Sequence, residues 1–190
     1  MSAVPARRWT AVDRQAIAVV GLGIAALSLR THIVRAPDAA RVWLLAALYT
    51  AILVGSLLVR VPRDRPRIAR SVALAVGLAG VALAAFAAGA PVPAPLGAQA
   101  LCLSVLAAVA EEALFRRALY GWLERFGIAA AVAGSALLFA LIHVPLYGAA
   151  AFPVDLGAGL LLTWQRWASG SWSVPATTHV AANILAVILR

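Results

Sequence analysis

Two adjacent carboxylates, Glu111 and Glu112, stand inside the otherwise apolar stretch LSVLAAVAEEALFRRALYGWL. An ionised side chain at the centre of a membrane helix costs about 2.5–3.5 kcal/mol on insertion scales, so a pair of them needs compensation or a purpose. Arg116 follows Glu112 by four residues, the favourable order for an ion pair along one helix, and the two can simply neutralise each other. Glu111 points about 100° away from Glu112 on a helix and has no partner at helical spacing. Two histidines lie in comparable surroundings. His143 closes SALLFALIHVP, one turn after Phe139, and His179 lies in VPATTHVAANIL with Asn183 on the same helical face. A third, His32, sits in an Arg-rich stretch and reads as interfacial.

A carboxylate beside an imidazole can take a proton from water. A second imidazole and an amide can donate to a developing oxyanion. Glu111, His143, His179 and Asn183 are therefore the parts for hydrolysing an amide without a covalent intermediate. No cofactor is expected on this reading. The alternative is Zn²⁺ held by Glu111, His143 and His179, since three protein ligands are usual for catalytic zinc; the chain has no HExxH to support it. No serine-hydrolase motif and no phosphate loop is present. The single cysteine, Cys102, reads as a small packing residue and excludes an intrachain disulfide.

The elements that must carry these residues are membrane helices. Of 190 residues, 64% are hydrophobic and 12% charged, against about 45–50% and 25% in soluble domains. Mean hydropathy is +0.94. The apolar runs are long enough for spans of about 20 residues each. They predict an all-α, polytopic transmembrane bundle of about seven spans: 16–34, 42–59, 71–90, 98–126, 127–144, 153–167 and 174–189. A basic head (1–14) precedes them, and the Arg-rich loop RVPRDRPRIAR at 60–70 and Pro-rich PVPAPLG at 91–97 separate some of them. The first three spans (1–97) form one part and the last four (98–190) carry the chemistry. All six Trp fall near span ends.

The net charge of +9 comes from 16 Arg, with Lys absent, against seven acidic residues. The Arg sit between apolar runs, where anionic headgroups and the positive-inside rule explain them, so nucleic-acid binding is not expected. With an even alternation of spans, twelve Arg fall on the N-terminal side and four (Arg30, Arg35, Arg41, Arg190) on the other, which favours N-in and C-out in a cell membrane. Glu111 lies 16 residues before Gly127 and His143 lies 16 after it. At about 1.5 Å per residue, a hairpin turning there brings both to one depth, roughly 24 Å from the turn.

EEALFR (Glu111 to Arg116) resembles the EExxxR motif of the CAAX-protease and bacteriocin-processing family of intramembrane proteases, also called the CPBP or Abi family. FALIH (Phe139 to His143) is similar to its FxxxH motif, and HVAAN (His179 to Asn183) to its HxxxN motif. The ordered set covers about 98–190. The resemblance implies a glutamate-dependent membrane endopeptidase in which Glu111 and His143 activate water. His179 and Asn183 would form the oxyanion site, while Glu112 and Arg116 support the first motif. It implies a membrane-associated protein or peptide as substrate. Branches of the family trim prenylated C-termini, confer bacteriocin immunity without catalysis, or cleave C-terminal sorting tails. The all-Arg, Ala-rich usage suggests a GC-rich bacterial genome and favours the tail-cleaving role. The best-known members open their cavity to the cytosol, whereas the N-in arrangement places this site in the outer half of the membrane.

Overall fold

The computed structural model describes residues 10–61, 64–88 and 97–188, apart from the side chains of residues 38, 39 and 88. Part of the basic head (1–9), residues 62–63 of the Arg-rich loop, residues 89–96, with most of the Pro-rich connection, and Arg190 lie outside the described residues. The described chain is helical and contains no strand. Its long helices are α1 (Ala11–Ile33), α2 (Asp38–Leu58), α3 (Arg70–Ala88), α4 (Ala98–Phe126), α5 (Ile128–Leu141), α7 (Phe152–Ser169) and α8 (Ser173–Ile188), with a single turn, α6 (Val144–Tyr147), after α5. The protein is thus the polytopic helical bundle that the apolar runs predict. Five segments are long and apolar enough to cross a membrane: α1, residues 40–58 of α2, 70–87 of α3, α4, and Ile128–Tyr147 spanning α5 and α6. The apolar α8 is shorter, at 16 residues. The α7 helix carries Asp155, Gln165 and Arg166 and stands outside both groups.

Local chemistry sets the ends. Thr10 caps α1 through a reciprocal box: the Asp13 amide donates to Thr10 Oγ1 (3.2 Å) and the Thr10 amide to Asp13 Oδ2 (2.9 Å). Gly127, with φ +105°, makes the turn into α5 that an L side chain would resist. Pro145 sits in the first turn of α6, where its missing amide hydrogen costs nothing.

Polar groups are turned inward. Glu111, Glu112, Arg116, Ser135, Gln165, Arg166, Thr178 and both His143 and His179 are buried, while Leu22, Trp43, Leu83 and Phe86 are exposed. That distribution suits a lipid exterior, which accepts apolar side chains and forces polar ones to find partners inside. The α4 helix is the axis, packing against α1, α2, α5 and α8, and α5 lies along α7. One end of the bundle is tied by charges: Asp13 pairs with Arg125, Arg166 Nη2 with Asp64 Oδ2 (2.6 Å), and Arg67 Nη1 donates to Trp167 O (2.7 Å). These are residues that the Arg count places on one side of the membrane.

The α5–α7 crossing depends on Gly159. A Cβ there would lie 2.9 Å from the carbonyl oxygen of Ala136. Replacing glycine by alanine inside a helix ordinarily gains about 0.5–1 kcal/mol. Here the obstacle is backbone, and overpacking costs about 1–3 kcal/mol. Gly159→Ala is therefore expected to lower the melting temperature of the detergent-solubilised protein, and an unchanged or raised value would refute the close crossing.

Candidate active site

The α4 helix changes register just after the two carboxylates. Ala113–Leu119 form a π-helical segment inside it, a local widening that is frequent at functional sites. Two carbonyls of this segment accept side-chain donors from neighbouring helices. Ser135 Oγ donates to Phe115 O (2.8 Å) and Arg166 Nε to Arg116 O (2.9 Å). The segment is locked between α5 and α7 while Glu111 and Glu112 project from the turn before it.

Glu112 is the enclosed member of the pair. Its Oε1 accepts from Arg116 Nη1 at 2.8 Å and from His179 Nδ1 at 2.9 Å, and both Glu112 and Arg116 are fully buried. Arg116 Nη2 donates to Gly159 O (3.1 Å), and its guanidinium lies over the Phe139 ring at 4.3 Å. The i,i+4 pair expected from the sequence is therefore present, and Glu112 has a further role. It holds the ring of His179, a residue 67 positions away.

Glu111 faces the other way, as the 100° offset requires. Its Oε2 lies 3.6 Å from His143 Nε2. Its Oε1 accepts from Arg30 Nη1 at 2.5 Å, a contact across 81 residues of chain. The missing partner of Glu111 thus comes from α1, and it is a residue whose charge reads from sequence as belonging to the loop beyond the first span. An arginine inside an apolar run and an unpaired glutamate inside another were the available signal. Tyr49, which accepts from Arg30 Nη1 at 3.3 Å, left none.

His143 stands where α5 ends and α6 begins, and its Nδ1 is 2.7 Å from the carbonyl oxygen of Phe139. A carbonyl only accepts, so Nδ1 carries the hydrogen and, in the neutral ring, Nε2 is left as an acceptor toward Glu111. The ring is framed by Phe139 (centroids 4.6 Å apart) and stacked on Tyr147 (5.8 Å). Phe139 also meets His179 edge-on at 5.7 Å. Asn183, one turn beyond His179, uses Nδ2 to donate to Ser104 O at 3.1 Å. Glu111, His143, His179 and Asn183 all line one cavity of about 500 Å³, with Arg30, Tyr49, Ser104 and Tyr147 in the same wall. Asp155 lies with His143 and His179 around a smaller cavity of about 210 Å³ behind them. The larger cavity extends along α4 from Ala100 to Glu111, about 17 Å at 1.5 Å per residue. Arg41 and Val34 also border it, so it reaches the end of the bundle opposite the Asp64–Arg166 and Asp13–Arg125 pairs. Among the described residues no three His, Cys, Asp or Glu side chains gather as a metal-holding set.

The pocket of this multi-pass membrane protein thus brings a carboxylate, two imidazoles and an amide to one wall, groups whose chemistry suits hydrolysis. The comparison with protein families gives it a place. A family model described as type II CAAX prenyl endopeptidase Rce1-like matches residues 93–185, the stretch that carries all three motifs. Residues 93–185 are thus similar to that CAAX-protease family, and the match supports an intramembrane protease of the CAAX type acting on protein substrates. No curated protein and no solved structure matches the chain.

Removing the Glu112 carboxylate would leave the fully buried Arg116 without its counter-charge, and breaking a buried pair on one side costs about 3–5 kcal/mol. Glu112→Ala is expected to lose thermal stability on that scale, measurable as loss of monodisperse protein on heating in detergent, with Glu112→Gln intermediate. Equal stability of wild type and Glu112→Ala would show that the pair is not needed for folding.

Proposed function

We propose that the protein is a metal-independent intramembrane endopeptidase that cleaves the C-terminal tails of membrane-associated proteins, with Glu111 and His143 activating the water. The observation that carries this reading is the 3.6 Å separation of Glu111 Oε2 and His143 Nε2. Both atoms accept hydrogen bonds, so they do not satisfy each other, and a water between them can donate to both. Its proton passes to this pair as its oxygen attacks the peptide carbonyl carbon. The tetrahedral oxyanion then takes hydrogen bonds from His179 and Asn183. Collapse breaks the C–N bond, and the departing amine takes the proton back from the Glu111–His143 pair.

The donors are supported from behind. One N–H of the Asn183 amide is spent on Ser104 O, which orients the other. His179 gives its Nδ1 hydrogen to Glu112, so its Nε2 can donate only as an imidazolium. Glu112 is the counter-charge for that state. The metal-free reading is supported by Arg30, whose guanidinium already occupies one oxygen of Glu111. Of the groups named for zinc, Glu111 already has its charge balanced by a cation. No step is therefore routed through a metal.

Tail cleavage is supported by the end of the bundle that the cavity reaches. The Arg-rich end of the bundle is the cytoplasmic one by the positive-inside rule, and the cavity reaches the other. Substrates would then present their tails on the outer face of a plasma membrane.

The test compares wild type with Glu111→Gln in the host, reading the C-termini of membrane and surface proteins by mass spectrometry. The Gln side-chain oxygen still accepts from Arg30, so the variant is expected to accumulate normally. Uncut precursors should appear, with cleavage down by about 10²–10⁴ for loss of the base. Asn183→Ala should lower kcat by about 10²–10³ as one oxyanion donor is lost. Matching termini in wild type and Glu111→Gln, at equal amounts of folded protein, would overturn the reading.

A further inference from the structure

The contact between Arg30 and Glu111 has a form that charge neutralisation alone does not require. Arginine and carboxylate commonly meet through two parallel hydrogen bonds, which is the stronger arrangement. Here one prong is used. Arg30 Nη1 holds Glu111 Oε1, Nε and Nη2 of Arg30 have no hydrogen-bond partner among the described residues, and Oε2 of Glu111 is turned to His143. Tyr49 takes the same Nη1 at 3.3 Å and steers the guanidinium edge. Arg30 is 5% exposed and borders the cavity, whereas Glu112 and Arg116 are fully buried and absent from its lining. The terminal torsion of a glutamate is broad and nearly two-fold, so an untethered Glu111 would exchange its two oxygens and wander about that axis.

We propose that Arg30 is a positioning residue for the hydrolysis: by clamping one oxygen of Glu111 it commits the other to the water shared with His143. The inference rests on the endopeptidase reading above and deepens it. It makes α1, which lies outside the family-matched residues 93–185, a working part of the active site. Tyr49 on α2 belongs to the same device, one step further from the reacting atoms.

The experiment uses the full chain in lipid nanodiscs. The probe is a quenched fluorescent peptide copied from a tail that the C-terminal comparison of wild type and Glu111→Gln identifies. Arg30→Lys retains the charge and hence any neutralising role, but loses the planar fork that sets the carboxylate angle. Arg30→Lys is expected to melt like wild type, to lose at least tenfold in kcat, and to keep KM within twofold. Arg30→Gln should lose at least a hundredfold, so that Lys is a partial rescue. Wild-type kcat in folded Arg30→Lys overturns the inference and leaves the endopeptidase reading standing. Should Arg30→Lys fail to fold, Tyr49→Phe decides: a severalfold fall in kcat at unchanged KM supports the positioning device, and unchanged kcat overturns it. A Glu111→Gln protein as active as wild type overturns both readings together.

Discussion

Two carboxylates side by side on one buried helix cannot share a single solution to their charge. Successive side chains diverge by about 100°, so what neutralises one cannot reach the other. Glu112 is served from its own helix by Arg116, four residues on. Glu111 is served from α1, 81 residues earlier. That second requirement dictates much of the bundle. It needs α1 packed on α4 at the depth of Glu111, a cation near the far end of a span, and a polar lining that continues through Tyr49 on α2. Burying an ion pair stabilises little in itself, because desolvation consumes most of the attraction. The arrangement is better understood as what the chemistry imposes on the fold than as what holds the fold together.

The packing that does hold it is apolar and close. Phe115, Leu114, Leu119 and Phe139 fill the space between α1, α4 and α5, with Leu27 and Val20 facing them from α1. Glycines let helices approach: a Cβ at Gly23 would meet the Leu114 side chain at 2.7 Å, and one at Gly77 would meet Gln165 Nε2 at 2.1 Å. Small residues at helix crossings are the usual route to tight association where lipid is as apolar as the helices themselves. Polar pairs such as Gln165 with Thr178 (2.9 Å) then fasten α7 to α8. The site therefore sits in a frame whose rigidity comes from van der Waals contact and whose register comes from hydrogen bonds to backbone carbonyls.

Much of this was legible in the chain. Equal spacing of Glu111 and His143 about Gly127 implied one depth, and the two side chains meet at 3.6 Å. That inference works because both arms are helical nearly throughout, so local changes of rise shift the depth little, and the hairpin turns at a residue with positive φ. The Glu112–Arg116 pair was legible for the same local reason. Arg30 was not. Helical spacing reports only partners on one helix, and the packing of α1 on α4 is a tertiary fact that no period in the sequence encodes. The π segment was equally hidden, since its residues, ALFRRAL, have ordinary helical propensities and the widened turn answers to Ser135 and Arg166 on other helices. The sixth apolar run was also less clear than it looked: Asp155, Gln165 and Arg166 give α7 a polar face that the bundle buries in part.

The division of the chain at residue 97 acquires a different meaning in three dimensions. The three motifs lie after it, on α4, the α5–α6 junction and α8, and they coincide with the family match. Yet the carboxylate of the first motif is held by a side chain before it. A motif records which atoms face one another within a family's shared core. It does not record what keeps a given carboxylate oxygen pointed in one direction. For a buried carboxylate that task suits a fixed protein charge or dipole, which is already oriented before the reaction. On the positioning role proposed for Arg30, the orientation of Glu111 is set from a helix with no motif of its own, and variation there would retune the site while EEALFR, FALIH and HVAAN stay as they are.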